Sequence, residues 1–468
     1  MSLLDKYFDS VAQDWDSWQA RNRYYHGHIE KLMRFLIPQG STVLEIGCAT
    51  GDLLNAVNPG IGMGIDHSAK MIELARSKYT GLTFEEMDAE ELHLKRKFDF
   101  VMMSDLVGHL QDIQRTLEKT RSVLHRRSRV ILTYYNFIWE PIIILAEKLH
   151  LKTRQPRQNW INGHDLENLL VLSDYEVVRT GYRLLFPKNI PGLSWLLNKY
   201  LSQLPLIRKL CVVRFVVARP RMPEENTKKF SVSVVIPARN ERGNIEQALQ
   251  RIPKMGKGTE IIFVEGHSND GTLDEIKRAV KKYRRSRRIS WFVQSGIGKA
   301  NAVRLGFEKA SGDILMILDG DLTVAPEDLP KFYEALASNK GEFINGSRLV
   351  YPMEKQAMRF LNLIGNKFFS LMFTYLVDQR FKDTLCGTKV LFKDDYERIA
   401  KNRSYFGEFD PFGDFDLIFG AAKQNLKILE MPIRYSERKY GQTNIQRWRH
   451  GMLLLRMVFV AASRLKFV

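Results

Sequence analysis

Short runs of β-branched and aliphatic residues recur along the chain, and stretches with a helical repeat of apolar positions lie between them. In the first part the runs fall at 42–46, 62–65, 98–103 and 130–134, with helical patterns at 69–78 and 113–124. In the second part they fall at 232–236, 260–264, 289–293 and 314–318. Strands that alternate with helices predict a parallel sheet covered on both faces. The ligand of such a sheet sits at the carboxyl ends of its strands, so the informative residues should follow each strand at once. The pattern predicts two α/β domains, 1–218 and 231–468, joined by a polar linker at 219–230 that contains Pro220 and Pro223.

Charge narrows the partners. The 71 Lys and Arg against 53 Asp and Glu leave +18 on 468 residues, a surplus that favours nucleic acid, an anionic membrane surface or phosphorylated substrates. Eight Lys and Arg with no acid fall within 277–288, as a solvated helix face or as a polybasic patch for a membrane. The stretches 360–377 and 448–468 mix apolar residues with a few polar and basic ones. They suit either packing helices or helices lying in a membrane interface. No apolar run reaches the roughly 18–20 residues that span a bilayer. The first residues do not read as a signal peptide. Cys48, Cys211 and Cys386 are too few and too scattered for a disulfide framework or a zinc site, which points to a reducing, cytoplasmic setting with at most peripheral membrane contact.

In the first half, the strand at 42–46 runs into Gly47-Cys48-Ala49-Thr50-Gly51-Asp52, a glycine turn that lets backbone approach a ligand. The next strand ends in Asp66, about twenty residues on, where an acid can bond a ribose diol. A third acid, Asp88, precedes Ala89. These residues resemble the class I S-adenosylmethionine-dependent methyltransferases over about 20–180, with Glu45, Gly47 and Gly51 matching the family's loop and Ala49 standing at its middle glycine. The resemblance implies that the loop cradles the methionine end of S-adenosylmethionine, that Asp66 holds the ribose, and that Asp88 with Ala89 faces the adenine. A nicotinamide dinucleotide site is the competing reading, and Glu45 and the third acid weigh against it. The segment Phe98–Asp105 resembles the family's fourth strand, and His109 after it reads as a packing or capping residue or as part of the site. No Asn-Pro-Pro-Tyr-like motif follows, which argues against a nucleic-acid acceptor.

In the second half, Pro237-Ala238-Arg239-Asn240-Glu241 follows one strand, Glu265 ends the next, and Asp319-Gly320-Asp321 follows a third. Two carboxylates at i and i+2 of an extended chain point the same way. They suit Mg²⁺ or Mn²⁺ that also carries phosphate oxygens. The order of blocks resembles the family 2 glycosyltransferases of GT-A fold over about 231–445, nearest to the polyprenyl- and dolichyl-phosphate sugar transferases. The resemblance implies a nucleotide pocket at Pro237, Arg239, Glu241 and Glu265, a metal pair at Asp319 and Asp321, and Lys299 near the donor diphosphate. It implies that Arg348, Lys389, Arg438 and Thr443 gather the phosphates of donor and acceptor. Glu265-Gly266 stands where many relatives have two aspartates, and Thr323 where some have a glutamine.

The acids Glu408, Asp410, Asp414 and Asp416 cluster nearby. A hydroxyl acceptor needs a general base, for which Asp414 is the best placed in sequence, whereas a phosphate acceptor is already ionised and needs none. The expectation is a fused chain of two Rossmann-like domains. The second would move a sugar with inversion from a nucleotide sugar to a polyprenyl phosphate or lipid-linked glycan. The first would move a methyl group to an acceptor the sequence does not name. A first half that only binds S-adenosylmethionine is the main alternative; a nucleic-acid methyltransferase with an accessory domain is another.

Overall fold

The computed structural model describes residues 3–149, 158–222, 230–351, 360–405, 413–438, 440–441 and 447–467. The chain divides into two compact units, Met1–Met222 and Pro223–Lys466, apart from the last two residues.

The first unit holds seven strands: β1 (Thr42–Ile46), β2 (Ile61–Asp66), β3 (Thr83–Glu86), β4 (Phe98–Ser104), β5 (Leu124–Tyr135), β6 (Tyr175–Arg183) and β7 (Val213–Pro220). Their order is β3-β2-β1-β4-β5-β7-β6. The first five are parallel, as the alternating pattern predicts. The last two are not: β7 runs antiparallel to both β5 and β6, so the sheet is mixed. Twenty-nine residues separate β6 from β7, and the pairing carries no local turn signal that a sequence pattern would register.

Two boundaries also differ from expectation. The helix that begins at Ile113 ends at Thr120, and Leu124 already belongs to β5. Strand β7 continues to Pro220, two residues into the expected linker, because Arg219 is buried there against Glu176 at 2.6 Å. The core between sheet and helices is Leu44, Ile46, Val101, Met103, Val130 and Leu132, all fully buried. Each such side chain contributes about 1.5–3 kcal/mol.

The second unit repeats the plan with β8 (Val232–Ala238), β9 (Thr259–Glu265), β10 (Arg288–Val293), β11 (Ile314–Ile317), β12 (Phe343–Ser347), β13 (Lys389–Phe392) and β14 (Ile428–Pro432). The order is β10-β9-β8-β11-β13-β12-β14, with β13 antiparallel to both its neighbours. In each unit the chain builds outward through three strands, then returns to place a fourth beside the first. That reversal leaves a crevice at the carboxyl ends of β1 and β4, and of β8 and β11.

The basic stretch at 277–288 is largely occupied within its own unit. Arg278 and Lys282 bind Glu246, Arg287 donates to the Ile252 carbonyl, and Lys277 lies over the Trp291 ring. The helices Phe360–Val377 and Arg447–Leu465 pack on one another. They bury Phe369, Phe373, Leu454 and Met457 while exposing Ile364, Phe368, Leu371 and Phe459. Among the described residues no helix is long and apolar enough to cross a membrane.

Candidate functional site

At the crevice of the first unit, β1 turns through Gly47, Ala49 and Gly51, all with positive φ (75°, 44° and 80°). A side chain at 51 would meet the Phe84 ring at 2.6 Å, so close approach as well as conformation requires glycine there. Ala49 holds a left-handed conformation where the resembled family has glycine, at a cost of about 1 kcal/mol. Its amide donates to Asp66 Oδ2 at 2.8 Å, and the Ser68 amide donates to Asp66 Oδ1 at 3.0 Å. Asp66 therefore faces the glycine loop with lone pairs left for further donors. Burial pushes its carboxyl up, and the backbone donors and His67 offset this only in part.

Glu45, behind the loop, is buried, and its Oε2 meets no hydrogen-bond partner among the described residues. Burial pushes this carboxyl well above the usual range, with Asp52 and Asp66 adding to the push. Asp88 caps the short turn Ala89–Glu91 by accepting from the Glu90 amide at 2.9 Å, a structural task its spacing did not announce.

Sequence reasoning missed the residues opposite. The helix Leu3–Val11 places Phe8 edge-on to both His67 and His109, with ring centres 5.5 Å from each. His109 Nε2 lies 3.1 Å from the Gln158 amide nitrogen and its ring packs against Phe8, so it has the packing role, one of the readings its sequence position allows. Asp105, just past β4, lines a pocket with Tyr135, Gln158, Asn159 and Trp160. The Tyr25 hydroxyl donates to Asp105 Oδ2 at 2.6 Å, and the Tyr25 and Tyr135 rings stack. Burial beside Asp105 pushes the Tyr25 phenol well up, so it stays a donor. Asp105 was visible as a strand-end acid; Tyr25, eighty residues away, gave no signal.

In the second unit, Asp319 and Asp321 lie just past β11, and each has a cation. Lys299, the first residue of helix Lys299–Lys309, reaches Asp319 Oδ1 at 2.6 Å. Burial alone would raise the Asp319 carboxyl, but Lys299, Lys389 and Arg348 outweigh it and hold it down. Any side chain at Gly387 would drive into both the Asp319 carboxylate and the Lys299 ammonium, so that position has room only for glycine.

Arg438 bridges two acids, donating to Asp321 Oδ2 at 2.6 Å and to Glu241 Oε1 at 2.9 Å. Asp321 Oδ1 also accepts from the Thr323 hydroxyl at 2.8 Å, so Thr323 supports the aspartate. Glu241 is pushed up to about 7 by burial, which Arg438 and Asn244 only partly offset. Pro237 packs its carbonyl against Gly320, Arg239 is exposed at the rim, and buried Glu265 accepts from the Ser268 amide at 2.6 Å.

Two expected phosphate ligands are committed elsewhere. The Arg348 guanidinium forms a two-pronged pair with Asp383, at 2.7 and 2.8 Å. Asn366 and the Leu385 amide complete the Asp383 shell. Burial would raise Asp383, but Arg348 holds it at about 2. Lys389 is buried and donates to the Cys386 carbonyl. Both add positive charge near Asp319, Arg348 from just past β12 and Lys389 from the start of β13.

Asp416, one of the clustered acids, is a structural partner of Arg304 and Arg403, at 3.2 and 2.7 Å. Glu408, Asp410, Thr443 and the Asp414 side chain lie outside the described residues. Among the described residues, no group of three or more His, Cys, Asp or Glu is arranged to hold a metal ion.

A family model described as a methyltransferase domain matches residues 18–180, and one described as glycosyl transferase family 2 matches residues 233–399. The chain thus carries an N-terminal S-adenosylmethionine methyltransferase fold fused to a C-terminal family 2 glycosyltransferase domain of GT-A fold. It is similar to the dolichol-phosphate mannosyltransferase of Pyrococcus furiosus, 28% identical over 227 residues, which are 46% of this chain and 60% of that one. The dolichol-phosphate mannosyltransferase of Saccharomyces cerevisiae is 36% identical over 109 residues, 22% of this chain and 40% of that one. The chain therefore spans about half the length of these relatives. A solved S-adenosylmethionine-dependent methyltransferase of Thermotoga maritima aligns with 46% of this chain and 98% of its own, at 18% identity and a TM-score of 0.37.

Proposed function

We propose that the second unit transfers a sugar from a nucleotide-sugar donor to a polyprenyl-phosphate or lipid-linked acceptor, and that the first transfers a methyl group from S-adenosylmethionine. The observation that carries the first part is the Asp319–Asp321 turn at the crevice, each acid balanced by a cation, Lys299 or Arg438. A diphosphate entering there exchanges carboxylate partners for phosphate oxygens, to which charge-assisted bonds are strong. Two hard oxygen donors suit Mg²⁺ or Mn²⁺, which keeps several waters and phosphate oxygens and needs few protein ligands. Asp319 and Asp321 would hold it, with Arg438 released from Asp321. The ion supplies positive charge where the leaving diphosphate becomes more negative. Lys299 orients the diphosphate from a helix N-terminus, where the backbone also favours anions.

The methyl-transfer reading rests on the glycine turn facing Asp66. Asp66 accepts from two amides of the turn and keeps lone pairs for a further donor, such as a ribose hydroxyl. The cavity of Asp105, Tyr135 and Trp160, about 20 Å³, has room for little more than a water, so an acceptor would have to open it, with Asp105 then placed to take a proton or orient a donor group.

The test uses the full chain. Labelled nucleotide sugars are incubated with polyprenyl phosphate and Mg²⁺ or Mn²⁺, and label is followed into the lipid phase. Transfer that Asp319→Asn abolishes supports the first reading; transfer that survives it overturns the mechanism. Titration calorimetry with S-adenosylmethionine should show one site per chain, and no binding would overturn the second reading.

A further inference from the structure

Two insertions at the carboxyl edge of the first sheet are built with the usual distribution reversed. The stretch between β6 and β7 turns its polar side chains inward: Ser194, Asn198 and Ser202 are buried. They are spent on local backbone, Ser194 on Ile190 and Lys188, Asn198 on both polar backbone groups of Phe186. The apolar side chains face out, with Trp195 55% exposed and Leu206 81% exposed.

The helix Glu140–Lys148, which follows β5, likewise exposes Ile142 and Leu145, the latter 54% exposed. The two insertions are stitched together. Asn136 donates to the carbonyls of Lys209 and Cys211, and the Trp139 indole donates to the Leu210 carbonyl at 2.8 Å. Scattered apolar side chains are ordinary on a surface; a contiguous patch that keeps its polar groups inside is the mark of a covered face.

Charge selects the cover. From 177 to 223 the chain has no Asp or Glu, and Lys188, Lys199, Arg208 and Lys209 stud the exposed loop. Lys199 lies over the rings of Trp195 and Tyr200, at 5.8 and 6.0 Å, an arrangement in which the aliphatic stem rests on apolar surface and the ammonium stays wet. A second copy would bring the same cations face to face, since a two-fold interface pairs a patch with itself. Apolar anchors, a Trp and Tyr rim and the acid-free, cationic stretch between β6 and β7, which outweighs Glu140 and Glu147 on the neighbouring helix, fit an anionic lipid surface.

We propose that this face docks the first unit on an anionic bilayer. Tyr135 lines the Asp105 pocket, and the next residue, Asn136, ties the apolar face together, so the bilayer would lie beside the pocket mouth. The docking stands on the surface alone. Its purpose, to receive a lipid-borne methyl acceptor, rests on the methyl-transfer reading above.

The full chain with Leu206→Cys, labelled with an environment-sensitive fluorophore, gives a local readout, because Cys48, Cys211 and Cys386 are buried. Vesicles of phosphatidylcholine with phosphatidylglycerol should shift its emission to the blue, and raised salt should weaken the effect. Leu145→Glu with Trp195→Glu, introduced into the labelled chain, should weaken this binding at least tenfold while S-adenosylmethionine binding, measured separately, stays unchanged. An unshifted label overturns the proposal even when the chain floats with vesicles through its other unit. So does a shift that appears on raising protein concentration without lipid, which would mark self-association. Loss of S-adenosylmethionine binding in the unmodified chain, with the lipid shift intact, would overturn the methyl-transfer reading and leave the docking face standing.

Discussion

Glu45 and Asp66 in the first unit, and Asp319 and Asp321 in the second, all stand at or just past the carboxyl ends of buried strands beside a sheet reversal. Their surroundings are opposite. In the first unit burial dominates, the partners are backbone amides, and both carboxyls are pushed up. In the second, Lys299 and Arg438 meet the acids directly, and Arg348 and Lys389 add charge nearby. Asp383 is likewise held down by Arg348. One crevice leaves its acids to burial and backbone amides, while the other sets a cation against each. The same strand-turn-helix geometry serves both, so the charges around the turn are what distinguish them.

The sharpest contrast is an acid-to-amide replacement made in each unit. Asp383→Asn strips the charge that balances a buried guanidinium, and such a loss costs about 3–5 kcal/mol. Glu45→Gln removes a carboxyl that burial disfavours when ionised. Its raised pKa means the folded state holds a proton the unfolded state has lost above about 4.5, so wild-type stability falls as pH rises. Denaturant titration at pH 5 and pH 8 should find Asp383→Asn destabilised at both, and Glu45→Gln gaining on wild type at pH 8. Equal losses for the two would erase the distinction between the sites.

Next in size is the rate of sugar transfer. Asp319→Asn or Asp321→Asn should lower it by roughly a hundred- to a thousandfold, the range for one well-placed stabilising group. Chelator should do the same, with S-adenosylmethionine binding by the other unit unaffected. Near-full, chelator-resistant transfer in both variants would rule out the metal pair.

Smaller is the effect of Asp66→Ala on S-adenosylmethionine affinity. A hydrogen bond to a charged group is worth about 1.5–3 kcal/mol, so calorimetry should show at least a tenfold loss. Unchanged affinity would mean that Asp66 serves only to fold the glycine loop onto β2.

The smallest is in the pH dependence. Burial holds His26 and His28 near pKa 4, from an ordinary 6.5. The unfolded chain takes up these protons first as pH falls, so their contribution to stability is full above about 6.5 and is lost toward 4. Allowing for partial exposure, each is worth about 1–2 kcal/mol. Replacing either by Gln should flatten the acid limb of the first unit's unfolding curve by that amount. Glu241 has the opposite sign. Burial, which Arg438 and Asn244 only partly offset, pushes its carboxyl up to about 7, and its contribution falls between about 4.5 and 7 as pH rises.

Much of this was legible in residue order. The parallel strands and the glycine and aspartate turns follow from periodicity and local spacing, because each is built from neighbours in the chain. The helix at 69–78 falls where the pattern predicts it. What escaped depends on contacts between distant residues. The antiparallel β7 and β13 enter each sheet from far along the chain. Their place is chosen by the buried faces they fill, and β13 brings Lys389, buried, beside Asp319. Tyr25 meets Asp105 across eighty residues, and Arg438 meets Asp321 across 117. Residue types and spacing name the acids that can do chemistry. Which of them are charged, and against what, is decided by burial and by partners that only folding brings within hydrogen-bond reach.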